Sequence, residues 1–197
     1  LDVRRGVEFS RYGLVRVSDE LTVQNDQETS VSFVKVCVSD EEMEDLVFYQ
    51  AYDAGEVPLS TKKLSEKLNG YNVFRIALDE PITSGETKLI VMKYTFSDNF
   101  DYDASRNDFS FDARVIPILP YKIGSYSGTV NLPDTATDTS FGNASATKTF
   151  SSDQEIAAFH DTTEEVTFTD SNNVYVKLES VERKIRVNPL GFIRVQE

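Results

Sequence analysis

Apolar and polar residues alternate with a period of two along most of the chain, with Val, Ile, Phe, Tyr and Thr between clusters of Gly, Pro, Asn and Asp. Such alternation marks half-buried β-strands bounded by turns. Val3 to Val23 forms the first unit. Val7 and Phe9 precede Arg11-Tyr12-Gly13, and Leu14, Val15 and Val17 then resume, the order expected of a hairpin with Gly near its turn. Ser30 to Val38 is apolar on both faces, Val31, Phe33 and Cys37 on one and Val34, Val36 and Val38 on the other, which predicts a central strand. Leu46 to Ala51, Asn72 to Leu78, Thr87 to Phe96, Phe109 to Leu119 and Tyr126 to Leu132 predict further strands. Pro117 and Pro120 place the end of the Phe109 strand at an edge or in irregular structure.

One stretch departs from this period. In Ser60 to Leu68, Leu64 and Leu68 stand four apart and Asn69-Gly70 follows as a stop signal, so a short helix is predicted there. Asp40 to Asp45 reads as a solvated acidic loop. Asp134 to Ser152 is rich in Thr, Ser, Ala and Asp and reads as a long surface loop, with a weak strand at Thr147 to Phe150. Val166 to Phe168, Val174 to Leu178, Ile185 to Val187 and Phe192 to Val195 restore the alternation. No flexible linker divides the chain. The predicted fold is all-β and mainly antiparallel, a β-sandwich of two packed sheets with one short helix near residues 60–68.

The two ends of the chain echo each other. Arg5, Val7, Phe9, Gly13, Leu14, Val15, Arg16 and Val17 correspond to Arg183, Ile185, Val187, Gly191, Phe192, Ile193, Arg194 and Val195, all at one constant offset. Two readings follow: hairpins of one sheet that look alike, or a duplication in which a second similar domain begins near Val181. The expected organisation is a domain over 1–180, with 181–197 as its closing hairpin or the start of the second.

Composition narrows the function classes. Of 197 residues, 20 are Lys or Arg and 33 are Asp or Glu, a formal net charge of −13. Phosphate binding draws on clustered basic residues, so nucleic acid is excluded as a partner, as is a polybasic membrane contact. No run approaches the apolar length of a bilayer span, and no signal peptide opens the chain. It starts at Leu1 rather than Met, which points to a processed or excised piece. The single Cys37 forms no internal disulfide, and a chain of this length needs none to hold a core.

Candidate chemistry is sparse. His160, in Ala157-Ala158-Phe159-His160-Asp161, is the lone histidine, and no Gly-x-Ser-x-Gly or other nucleophile motif accompanies it. Cys37 sits among apolar strand neighbours and reads as a small core hydrophobe. One His and one Cys do not make a zinc site. Asp101, Asp103 and Ser105 have the alternating oxygens of a calcium loop, but Arg106 occupies the position of its glycine and Asp112 that of its bidentate Glu, so a solvated acidic loop is expected. The reading assigns no catalytic, metal or cofactor residue. Asn143-Ala144-Ser145 is the only N-glycosylation sequon, which makes Asn143 the glycosylation candidate.

Toward the C-terminus the motifs become specific to a family. Thr147-Lys148-Thr149-Phe150, then Val174 to Leu178, then Val181-Glu182-Arg183-Lys184-Ile185-Arg186-Val187-Asn188-Pro189-Leu190-Gly191-Phe192-Ile193-Arg194-Val195-Gln196-Glu197 resemble the luminal region of ribophorin I. The resemblance extends in order along the chain: Val3 to Glu20 resembles the family's opening hairpin, Leu78 to Glu86 its Pro-Gly connection, Leu89 to Phe96 the next strand, and Tyr121 to Leu132 the segment after its Pro-Tyr-Pro element. The acidic Asn99 to Asp108 stretch replaces an aromatic loop of the family, and the chain has no Trp where the family carries one. A distant relative, archaeal sources included, fits this divergence.

The resemblance implies a non-catalytic domain of an oligosaccharyltransferase-like complex, on the luminal side of the endoplasmic reticulum or, in an archaeon, outside the cell. Its implied partners are the catalytic subunit and the nascent polypeptide, and the full-length protein is implied to be membrane-anchored. Tyr121 and Tyr126 are expected as exposed contact residues. Two other classes stay open: a cell-surface adhesion or carbohydrate-binding sandwich, and a hydrolase dependent on His160.

Overall fold

In Asp2–Phe9 the alternation turns Val3, Arg5, Val7 and Phe9 to one buried face and leaves Arg4 and Glu8 exposed on the other. The same division runs along the neighbouring strands, and it sets the layers of the fold. The computed structural model describes residues 1–10, 12–142, 146–172, 184–187 and 193–196. In chain order the elements are β1 (Asp2–Phe9), β2 (Leu14–Gln24), β3 (Val31–Val38), α1 (Asp40–Asp45), β4 (Leu46–Asp53), β5 (Pro58–Leu59), β6 (Thr61–Lys63) and β7 (Asn72–Ile82). They continue with β8 (Thr87–Ser97), β9 (Asp101–Asp103), β10 (Asp108–Arg114), β11 (Ser125–Asn131), β12 (Thr147–Ser152), β13 (Thr163–Thr169), β14 (Lys184–Val187) and β15 (Ile193–Gln196).

A seven-stranded sheet in the order β12-β11-β1-β2-β8-β4-β5 forms one layer. Two three-stranded sheets, β13-β10-β9 and β3-β7-β6, supply strands to the same hydrophobic core. The all-β class is therefore observed. Pairing is antiparallel except between β1 and β11, which run parallel with Val3 opposite Tyr126 and Val7 opposite Val130. Phe9 anchors the packing of the layers: its ring lies 5.0–5.5 Å from those of Phe168, Phe100, Phe111 and Phe109. Burying each such ring contributes about 1.5–3 kcal/mol.

Three local expectations are corrected. Residues 60–68 are not helical, since Thr61–Lys63 pairs with Phe74–Ile76 of β7 and Leu64 packs beside Cys37, Val73 and Ile118. Two leucines give only one turn of apolar stripe, whereas β7 offers Thr61–Lys63 a ladder on one side, continued by Leu64 N donating to Val73 O at 2.8 Å. The helix lies instead at Asp40–Asp45, where a loop was expected. Ser39 caps it by accepting from Glu42 N at 3.1 Å, Glu42 reaches back to Ser39 N at 3.3 Å, and three acidic residues occupy its first turn. Finally, β3 is an end strand of its sheet rather than a central one. Its outer edge is bridged by the segment carrying Ile118, whose carbonyl accepts from Cys37 N at 3.0 Å, and on its second face Cys37 packs with Val73 and Ile118.

The terminal hairpin bears on the echo. β14 pairs with β15 so that Ile185 is opposite Val195, Arg186 opposite Arg194 and Val187 opposite Ile193. At the sequence offset these are the partners of Val7–Val17, Glu8–Arg16 and Phe9–Val15 in the β1–β2 hairpin. The two hairpins thus share one register. Both sides of β1 are already occupied, by β2 and β11, so the terminal hairpin does not pair with the first strand.

Candidate functional site

Charged side chains converge where α1, β10 and the segment before β13 meet. Arg114, at the end of β10, is buried, and its Nε lies 2.9 Å from Glu42 Oε2 on α1. Its Nη1 is bonded to Asp161, which also accepts from the Tyr71 hydroxyl at 2.8 Å. Burial disfavours the Arg114 charge, but Glu42 and Asp161 outweigh it and hold the guanidinium above its ordinary value. Asp161 is the converse case: partial burial raises its pKa, and the hydrogen bonds from Arg114 and Tyr71 more than reverse this. Tyr71 stacks on Phe159 with ring planes 8° apart, so an aromatic pair fixes one wall of the cluster.

Above Arg114 opens a cleft of about 360 Å³ with Glu42, Asp45, Asp98, Asp101, Asp112 and Glu165 among its lining. Asp45 is raised by burial and by the nearby charges of Asp98 and Glu44. Below it a void of about 10 Å³, the size of one water, separates Arg114 and Glu42 from Arg5. Arg5 and Asp19 are cross-strand partners on β1 and β2, both buried, with Nη1 to Oδ2 at 3.4 Å. Arg5 Nε and Asp19 Oδ1 have no hydrogen-bond partner among the described residues. Burial drives the Asp19 carboxyl up to about 6 against the opposing pull of Arg5. Tyr94 is raised well above its ordinary value by burial, reinforced by the Asp19 charge.

This arrangement can attract and hold cations of a partner, but its acids are built into the fold. Among the described residues no three His, Cys, Asp or Glu side chains are grouped to hold a metal ion. Asp103 uses Oδ1 to accept from Ser105 N and Oγ at 2.9 and 2.7 Å, closing its own turn. His160 is partnered through Nε2 with the Thr162 hydroxyl at 2.9 Å. Cys37 is buried, and burial pushes its thiol up to about 11.

The expected contact residues are placed differently. Tyr126 is buried, its hydroxyl donating to the Val115 carbonyl, because its position on β11 faces the core. Tyr121 is half-buried against the core, and its hydroxyl oxygen accepts from Lys35 N at 2.9 Å. The expectation of an exposed aromatic is therefore corrected at Tyr126, and Tyr121 is only partly exposed. Exposed apolar side chains lie elsewhere: Val47 and Phe48 on β4, Val57 after it, and Tyr12 at the β1–β2 turn. At the start of β4 the register with β8 shifts between Leu46 and Phe48. This irregularity, invisible to a strict period of two, lies where Val47 and Phe48 are exposed. Asn143 lies outside the described residues.

Fold and site together define a β-sandwich domain whose candidate polar groups serve as structural ties. Known structures share its architecture. An aminopeptidase N family protein from Idiomarina loihiensis aligns with a TM-score of 0.50 and 11% identity over 98% of this chain and 32% of that one. Native leukotriene A4 hydrolase from Saccharomyces cerevisiae gives 0.53 and 9% over 85% of this chain and 28% of that one. At such identities the likeness concerns the fold alone, and the chain spans about a third or less of those proteins. No curated protein sequence matches it. The sequence profile of the ribophorin I family matches residues 2–197, and the chain belongs to that family. The family is one of non-catalytic subunits associated with oligosaccharyltransferase, with luminal domains.

Proposed function

We propose that this domain is a scaffold of an oligosaccharyltransferase-like complex, contacting the catalytic subunit or the acceptor polypeptide without taking part in the chemistry. The match to the ribophorin I family over residues 2–197 carries this reading. The contact is assigned to the exposed apolar residues of β4, Phe48 as an aromatic anchor with Val47 beside it, since a few anchors that become fully buried carry most of the binding energy at interfaces. The domain works on the luminal side, or on the outer face of an archaeal membrane, within a membrane-anchored protein. Residues 1–180 form this domain and 181–197 open a second of the same kind, a reading supported by the shared hairpin register.

The test is affinity purification of the full-length protein from its native membrane. A co-purifying glycosyltransferase subunit is expected, with recovery falling in Val47→Asp and Phe48→Ala while the folded domain is retained. A protein that emerges from its membrane without such a subunit overturns the proposal.

A further inference from the structure

Asn69-Gly70 is the only Asn-Gly pair in the sequence. It forms a two-residue turn with φ of 51° and 89°, closed by reciprocal hydrogen bonds of 3.0 Å between Leu68 and Tyr71. Positive φ at both positions is the geometry in which Asn-Gly is favoured. Both residues are exposed, and a Cβ built on Gly70 would meet nothing within 4 Å. Neither Gly70 N nor the Asn69 side chain is hydrogen-bonded to any described residue. Leu68 and Tyr71 form an isolated bridge outside any named strand. The turn therefore opens locally, without unfolding the sheet.

We propose that Asn69 is a site of spontaneous deamidation in the folded protein. When the turn opens, deprotonated Gly70 N attacks Asn69 Cγ. An N–Cγ bond forms, the Cγ–Nδ2 bond breaks, and Nδ2 leaves with protons from solvent as ammonia, giving a succinimide. Water then adds to either carbonyl of the ring. Opening on one side yields an ordinary aspartate in place of Asn69, and opening on the other yields isoaspartate, with the backbone rerouted through Cβ. No oxidant or enzyme is required.

The consequence reaches the charged cluster. The turn fixes Tyr71, which donates to Asp161, and is flanked by Lys67 and Asn72, which both bond Asp40 at 2.6 and 2.8 Å. An isoaspartate adds a methylene to a loop closed over two residues. Its reciprocal bonds cannot then both be kept, and Tyr71 loses its fixed position over Asp161.

The experiment is a tryptic map of the folded full chain after storage at mildly alkaline pH. Cleavage at Lys67 and Arg75 releases residues 68–75, which also contain Asn72, buried and hydrogen-bonded to Asp40, as an internal control. The expected result is a gain of about one dalton at Asn69, split into two chromatographic isomers, its rate rising with hydroxide concentration. The gain is lost in Asn69→Gln and absent at Asn72. A folded chain that keeps Asn69 intact while the denatured chain reacts there overturns the proposal. So does a gain at Asn72 first, or no reaction in either form.

Discussion

Replacing Arg5 by Met strands the Asp19 carboxylate in the core. Both side chains of the pair are at most 5% exposed, so neither reaches water when the other is removed. Breaking such a pair costs about 3–5 kcal/mol, because the remaining charge is left uncompensated. Replacing both residues, as in Arg5→Met with Asp19→Leu, removes the desolvation problem together with the attraction and is expected to be neutral or stabilising by about 1–4 kcal/mol. Urea unfolding of the three proteins measures this. With slopes of about 1–3 kcal/mol per molar, the single variant's midpoint falls by roughly 2 M and the double variant recovers it. A single variant that loses less than about 1 kcal/mol, or a double variant no better than the single, refutes the reasoning.

The same pair sets a pH dependence with a definite sign. Asp19 titrates near 6 in the folded protein against an ordinary 3.8, so the folded state holds its proton more tightly. Between these values the native state binds more protons than the unfolded one, and this group's contribution to stability rises as pH falls from about 6 to 4. The displacement corresponds to about 3 kcal/mol. Asp161, held low by Arg114 and Tyr71, contributes in the opposite sense, losing stability as pH falls through its folded value. The quantity to measure is therefore the difference between the wild-type protein and Asp19→Asn. It is expected to change across about pH 4–6 and be flat above; a flat difference throughout refutes the assignment.

Further outcomes follow from single contacts. Gly128→Ala is expected to lose about 1–3 kcal/mol by thermal or urea unfolding, since a Cβ there would lie 2.7 Å from Cζ of the buried Tyr126. Gly6→Ala, where the nearest atom would be 3.9 Å away, is expected to stay within about 1 kcal/mol of wild type. Ser39→Ala removes the capping box of α1 and is expected to cost about 1 kcal/mol in the same assay. Cys37, buried and raised to about 11, should react with a thiol reagent only at the rate of unfolding, with fast labelling of the native chain contradicting its place in the core.

The positions of β1, β2 and β8 were legible because one face of each is buried, which imposes the period of two. Val3 to Val23 and Thr87 to Phe96 became β1, β2 and β8 within a residue or two. What the period does not encode is the partner. The parallel pairing of β1 with β11 depends on side chains more than a hundred residues apart, and the end position of β3 was hidden because the segment carrying Ile118 bridges its outer edge and packs on Cys37. The misplaced helix has a similar origin. Leu64 and Leu68 satisfy a helical spacing by chance, whereas the capping box Ser39-x-x-Glu42 was a readable start signal that the acidity of the stretch obscured. Tyr126 looked like a surface aromatic only because its face of β11 could not be assigned without knowing that β1 lies beside it. Neither the Arg114 cluster nor the Arg5–Asp19 pair has a local signature, since each brings together residues from separate strands.

An architecture shared with an aminopeptidase family protein and a hydrolase carries no chemistry with it, because function resides in sites and not in folds. Here the polar groups that might have formed a site are each engaged by the chain itself. Ser39 caps α1, Asp161 joins Arg114 to Tyr71, Asp19 joins β2 to β1, and His160 meets Thr162. A group tied to its neighbours in this way must break a structural contact before it can act on a ligand, even where, as at Arg5 Nε and Asp19 Oδ1, one of its polar atoms has no partner among the described residues. For the buried pair, the cost of that step is of the same order as the loss expected in Arg5→Met. What such a domain offers at little cost is surface: the exposed β4 residues and an acidic cleft whose walls are held by Arg114. Surface of this kind is what the scaffold role proposed above would draw on.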